Sequence, residues 1–435
     1  MNTFINIISV LRARVFVLTL ALLACSLFAV PAPAMAEDEE KGLMDVKLSK
    51  DPEPLAKDIE SGIDHLFETL DNPAGKLDAA RIDAMLNFVV NGQDDPKDIK
   101  PAKRYGGHAI CLRQNVSSDL NTILRYFYNP DIPNFLLCPA VLRLSGWHEG
   151  SQFLKREKPI WEELATLDQP VLTRGREFES CTPDSFGEAY FRYDLNRLII
   201  LMKYQGKNVL VSVSLQEDQS DVGRKGAILN DTEWEYFYSG IEGLNRGMIG
   251  WMDTFMYKSA SVLVFVEQDG PAKESTIFLF KWLKAGWAGM NVVKRSHIYD
   301  GTLRYARSLT KVLESPTLTP DELVAGMKDV SNLSQAEADE LILQYAKNFE
   351  LRFKDDPKLK SREYAKVIAD GGYEKVLDKD ARQSILALQK LKAMLGMDTL
   401  IEMGASPVAK AEEPAAQAAS DAVEPAVRPE SQPES

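Results

Sequence analysis

The spacing of apolar residues changes twice along this chain, from helical to largely alternating near residue 101 and back to helical near 294. Ile59, Ile63, Leu66 and Leu70 predict a helix over 53–71, and Ile82, Met85, Leu86 and Val89 predict another over 76–91. The polar stretch NGQDDPKDIKP then breaks the pattern as a linker. HAICLRQ reads as a strand and gives way to SSDLNTILRYFYN, a helix that Ser117 or Ser118 can cap. Its apolar face is Leu120, Ile123, Leu124 and Phe127. Pro130 and Pro133 stop it, and AVLRLSGW resumes extended structure.

Two hairpins follow. RLIILMKY and NVLVSVSLQ flank Gln205-Gly206-Lys207, and SVLVFVEQ pairs with STIFLFKWL across Asp269-Gly270-Pro271. In the second strand Val209, Val211, Val213 and Leu215 mark a buried face. In the last strand Phe278, Phe280 and Trp282 share one face while Ile277, Leu279 and Leu283 share the other, so both faces need cover. The helix that follows carries Ile298, Tyr305, Leu309 and Val312 along one stripe, with Arg304, Arg307 and Lys311 on a different side. It covers one face. The region from Thr319 to about Met397 returns to helical spacing, with capping boxes at Thr319–Glu322 and Ser334–Glu337, and is expected to supply a second layer on the sheet. No internal repeat interrupts this order.

The expected organisation is therefore a leader over 1–36, a charged lead-in and helices over 37–100, and an α+β core over 101–315. A helical segment over 316–403 and a disordered Ala/Pro/Glu-rich tail over 404–435 complete it. Arg12 and Arg14 precede an apolar run from Val15 to Val30, and Ala34-Met35-Ala36 supplies a small-x-small cleavage pattern, with cleavage expected after Ala36. This predicts export to the periplasm. Leu22-Leu23-Ala24-Cys25 loosely resembles a lipoprotein box, and anchoring through Cys25 is the alternative. No second apolar run reaches membrane length.

The chain carries a net charge of −13, and loss of the leader removes two arginines and no acid. Nucleic acid is thus not an expected partner. Cys111, Cys138 and Cys181 remain in the mature chain, too far apart for a CxxC motif; one disulfide among them, or three buried thiols, both fit.

The sequence holds no P-loop, GxSxG elbow, HExxH, EF-hand loop or dinucleotide fingerprint, so no catalytic residue, metal site or cofactor is assigned. His65, His108, His148 and His297 lie at no metal-ligand spacing. His148-Glu149 sits on a strand, where adjacent side chains diverge, and reads as a satisfied histidine. EDQSDVGRKG could hold a cation through Glu217, Asp218 and Asp221, but Arg224 and Lys225 neutralise the loop. The aromatic residues between Trp234 and Trp287 fit either an ordinary core or a cavity wall.

The order of these elements, from HAICLRQ through YNPDIPNF to FLFKWL, the loop KAGWAGMN and the long helix, resembles the helix-grip fold of START lipid-transfer domains and polyketide-cyclase-like proteins. The resemblance covers roughly 105–315. It implies an antiparallel sheet gripping a long C-terminal helix with an apolar cavity between them, and a lipid or other hydrophobic small molecule as the guest. The expected lining is Trp251, Phe278, Phe280, Trp282, Trp287 and Tyr305, with Arg295 or His297 near the mouth. An envelope structural protein with a filled core, contacting a protein partner, is the alternative. A hydrolase or cyclase on the same scaffold is the third reading, and it would need polar residues converging inside the cavity.

Overall fold

A computed structural model describes residues 47–92, 95–245, 251–369 and 372–403. The leader with Cys25 and Ala36, most of the acidic lead-in and the tail from 404 onward lie outside these residues.

Helices α1 (Lys57–Asp71) and α2 (Asp83–Asn91) come first and are apolar along one side. Strand β1 (His108–Val116) leads to α3 (Leu120–Phe127), which is capped by the Asp119 carboxylate accepting the Thr122 N–H rather than by Ser117 or Ser118. An ionised acceptor at the positive end of the helix explains that preference. Then come β2 (Leu142–Trp147), β3 (Val171–Cys181), β4 (Arg192–Tyr204), β5 (Lys207–Gln216), β6 (Arg224–Asn230) and β7 (Glu235–Glu242). The core closes with β8 (Phe255–Glu267), β9 (Ser275–Gly286) and the long helix α4 (Arg295–Leu313).

Seven strands form one antiparallel sheet in the order β1-β9-β8-β5-β4-β3-β2. The first strand thus pairs with the last, from Ser275 opposite Val116 to Leu283 opposite His108. The β4–β5 hairpin turns at Gln205 and Gly206, both with positive φ, as a two-residue turn between twisted strands requires. At the far end of β9, Gly286 has positive φ and a Cβ there would overlap the Met290 carbonyl oxygen. That glycine lets the Trp/Gly loop fold back toward α4.

Both faces of the sheet are covered. The outer face, with Val209, Val211, Val213, Val262 and Val264, packs on α1 and α2. The inner face packs on α3 and α4 through Ile110, Leu263, Leu279, Ile298 and Leu309. Phe278, Phe280 and Trp282 belong to the outer face, where Phe67 meets Trp282 and Phe88 meets Phe278 edge-on. The outer face of the large sheet is therefore covered by the N-terminal helix pair, while the C-terminal helices reach the sheet on its inner side, at the β2 edge. Alternation along β9 separates the two faces but carries no information about which helix takes which.

The C-terminal helices α5 (Pro320–Ser331), α6 (Gln335–Phe353), α7 (Arg362–Ala369) and α8 (Lys379–Met394) also pack on a second, smaller sheet. β6 pairs on one side with β7 and on the other with the short Ala189–Tyr190 strand in this second sheet. Phe237 on β7 packs among Phe349, Tyr364 and Tyr373 of the helical region. The buried Lys392 on α8 reaches the buried Glu235 at 2.5 Å, and Leu391 of the same helix joins the inner core. Both expected capping boxes form. No helix among the described residues is long and apolar enough to cross a membrane.

Candidate functional site

The inner face of the large sheet is not uniformly apolar. Arg197 on β4 lies opposite Ser214 on β5, Ser214 opposite Ser261 on β8, and Ser261 opposite Lys281 on β9. Directly opposed residues share a face, so these side chains form a polar seam running across four strands. Glu177 and Glu179 on β3 extend it, because residues two apart on a strand point the same way.

The seam is hydrogen-bonded along its length. Arg197 donates through Nε and Nη2 to the two oxygens of Glu177 at 2.8 Å each, and through Nη1 to Ser212 Oγ at 3.0 Å. The Tyr193 hydroxyl donates to Glu179 at 2.7 Å. Ser214 and Ser261 share a hydrogen bond of 2.7 Å, and the Lys281 ammonium donates to Ser259 Oγ at 2.7 Å. Burial is the largest influence on these groups. It raises the Glu177 carboxyl above the usual carboxylate range against the pull of Arg197, and it lowers Lys281 against the pull of Glu179. Arg197 goes the other way: desolvation opposes its charge, but the carboxylates around it hold the proton more tightly than usual.

Above the seam lies a cavity of about 290 Å³. Its floor is Glu179, Tyr193, Arg197, Ser214, Ser261 and Lys281. Its walls are mainly apolar, with Leu263, Leu279 and Leu283 from the sheet, Phe127 at the end of α3 and Ile298 from α4, and Thr182, Asp184 and Arg304 also reach it. Helix α4 also turns Gly301 and Tyr305 toward it, and a Cβ at Gly301 would meet no atom within 4 Å. At one end Phe186, from the loop after β3, stacks on His297 with ring centroids 4.1 Å apart. Trp287 and Val293 of the Trp/Gly loop line the same end.

No family model matches the chain, and no curated protein matches its sequence.

Of the residues singled out in the sequence, the structure brings Trp287, His297 and Tyr305 to this cavity. Phe278, Phe280 and Trp282 do not line it. They point away through the sheet to α1 and α2, and the Trp282 indole N–H donates to the Ala102 carbonyl at 2.8 Å. Arg295 also faces away from it. Its guanidinium donates to the backbone carbonyls of Ala109, Lys97 and Ile99, tying the start of α4 to β1 and the segment before it. Trp251 stands in a two-residue strand paired with Leu244–Asn245, and its side chain lies outside the described residues. Arg304, on a different side of the helix from the apolar stripe, is buried and paired with Asp231 at 2.8 Å. The Ala140 carbonyl and the Tyr236 hydroxyl complete that cluster.

The remaining candidates have structural partners. His148 Nε2 meets Asp194 at 3.0 Å, and Glu217 pairs with Arg176 at 2.8 Å rather than facing an open cation site. Among the described residues no group of three potential metal ligands comes together. The three cysteines among the described residues are free thiols; Cys138 and Cys181 line the cavity, where burial pushes Cys181 up to about 12, and Cys111 is buried on the outer face. These thiols are poor nucleophiles at neutral pH.

The seam itself was missed. Two signals were available in the sequence: Ser212 and Ser214 alternate with valines inside a strand, and Lys281 is the one charge within the apolar run from Ile277 to Leu283. A charge placed in a strand that must be covered on both faces needs a polar interior to receive it.

Proposed function

We propose that this chain is an exported, periplasmic protein that holds an amphipathic small molecule between its large sheet and α4, in a helix-grip arrangement like that of START and polyketide-cyclase-like proteins. The observation that carries this reading is the cavity: apolar walls over a polar floor, in about 290 Å³ of space, near the ~300 Å³ at which small-molecule sites begin. Several features support the helix-grip element: the first strand pairs with the last, the strands between are antiparallel, and the long helix follows the last strand. Export rests on the leader sequence and its Ala36 site. The guest would lay its apolar body along Leu263, Leu279, Leu283 and Ile298 and turn a polar head to Lys281, Tyr193 and Glu179.

Native mass spectrometry of protein purified from its own envelope fraction, followed by organic extraction, tests this reading. A discrete bound mass that disappears on extraction supports ligand carriage. A bare protein mass, with no thermal stabilisation by a panel of lipids and fatty-acid-sized molecules, counts against it and favours an envelope interaction protein.

One observation favours a catalytic reading as well. Lys281, Glu179, Tyr193 and Arg197 converge on one cavity, as acid–base chemistry requires. Release of a chemically altered guest on turnover would separate catalysis from carriage.

A further inference from the structure

Lys281 differs from the other charged residues of the seam. Arg197 has Glu177 in a two-point ion pair, and Glu179 has Tyr193 and, at 3.5 Å, Arg197. Among the described residues no carboxylate lies within ion-pair distance of Lys281, and its one hydrogen bond is to a neutral serine hydroxyl. An ammonium has three donors, so two N–H bonds remain without a described acceptor, and the side chain lines the cavity. A charge in that position is costly, because apolar surroundings replace its hydration and no counter-ion at contact compensates.

Three kinds of guest could meet this nitrogen: an anion, a neutral hydrogen-bond acceptor, or an electrophile. An anion is disfavoured by the charge already present. Glu179 lines the same floor, so a guest carboxylate reaching Lys281 would be set beside a like charge. Shedding the Lys281 proton is the alternative way to remove the cost. Burial acts in that direction at both ends of the seam, lowering Lys281 and raising Glu177. The result is a lysine that holds its proton less tightly than usual beside an apolar chamber, the setting in which a lysine acts as a nucleophile toward carbonyl compounds.

We propose that Lys281 forms an imine with an apolar aldehyde or ketone seated in the cavity; this rests on the ligand-binding reading above. The Nζ lone pair attacks the carbonyl carbon, and the C=O π pair moves to oxygen. A proton passes from nitrogen to that oxygen to give a carbinolamine. A second proton is delivered to the hydroxyl, which leaves as water as the C=N bond forms. Two hydrogens from nitrogen and the carbonyl oxygen depart together, so the step needs no oxidant or reductant. Ser259 Oγ, 2.7 Å from Nζ, is placed to relay the proton. The apolar walls formed by Leu279, Leu283 and Leu263 select a guest with a hydrocarbon body.

The test is reductive trapping. The purified protein is incubated with nonanal at low molar excess in the presence of cyanoborohydride, and intact mass and peptide maps are recorded. The expected result is a single adduct, heavier by the aldehyde less one oxygen, on Lys281 before any surface lysine is modified. Lys281→Arg keeps the positive charge and should lose that adduct; Lys281→Met provides a second loss should the arginine not be accommodated. Labelling spread over surface lysines with Lys281 untouched overturns the proposal, and wild-type protein alone suffices for that outcome. Displacement of an apolar fluorescent probe by the aldehyde, measured without reductant, separates the two readings. Displacement without trapping on Lys281 overturns the imine and leaves ligand carriage standing. Neither displacement nor trapping counts against both.

Discussion

Arg197 and Glu177 meet across neighbouring strands β4 and β3 through two hydrogen bonds of 2.8 Å, directly beneath the cavity. Each side chain is nearly shut off from bulk water, so removing either one strands a charge. Glu177→Ala is expected to cost about 3–5 kcal/mol of stability in chemical denaturation. The double variant Glu177→Leu with Arg197→Met should lose less than the sum of the singles, by at least about 1 kcal/mol. Additive losses would mean that the pair is not coupled.

Trp282 provides a test of which face does what. It is buried among Phe67, Phe280 and the Arg104 guanidinium on the outer side of the sheet. Trp282→Ala should lower stability by about 3–5 kcal/mol, the loss typical of a large buried aromatic. Binding of an apolar probe to the fraction still folded should be unchanged, because the cavity lies beyond the sheet.

Gly301 has the opposite character. It sits inside α4 facing the cavity, and a methyl group there meets no atom within 4 Å. Gly301→Ala should therefore raise stability by about 1 kcal/mol, the ordinary helix-propensity difference between the two residues. A loss on thermal or chemical unfolding would mean that this position is more crowded than the structure indicates.

The pH dependence of Lys281 follows from its lowered pKa. Between that lowered value and the ordinary lysine value of ~10.4, the unfolded chain binds more protons than the folded one, so stability rises with pH across this window. Above ~10.4 neither state is protonated there and the penalty is gone; below the lowered value it is present in full. The stability of wild-type protein relative to Lys281→Met should accordingly climb as pH rises toward ~10.4. A flat difference would place the lysine in a water-like environment.

Much of the sheet was legible because its strands alternate cleanly. Val209, Val211 and Val213 mark one face of β5, the Gln205–Gly206 turn fixes the β4–β5 hairpin, and Phe278 to Leu283 separate two apolar faces of β9. The assignment of faces was not legible, since a period of two is unchanged when the whole strand is turned over. That ambiguity led Phe278, Phe280 and Trp282 to be expected in a cavity lined instead by Leu279, Lys281 and Leu283. β3 was hidden for another reason. Its sequence VLTRGREFESC is rich in charge, and only the fold reveals that Glu177 and Glu179 face inward toward Arg197. On the same strand Gly175 leaves room for the Trp147 ring, a close approach that no local pattern predicts.

The account stands on the cavity being the place where a guest sits. The most direct measurement is equilibrium titration of an apolar fluorescent probe into wild-type protein and Gly301→Trp, whose indole would project into the cavity from α4. The prediction is one saturable site in wild type that is lost in Gly301→Trp, with both proteins showing the same cooperative unfolding. Equal binding by the two folded proteins would contradict it and place the probe on another surface.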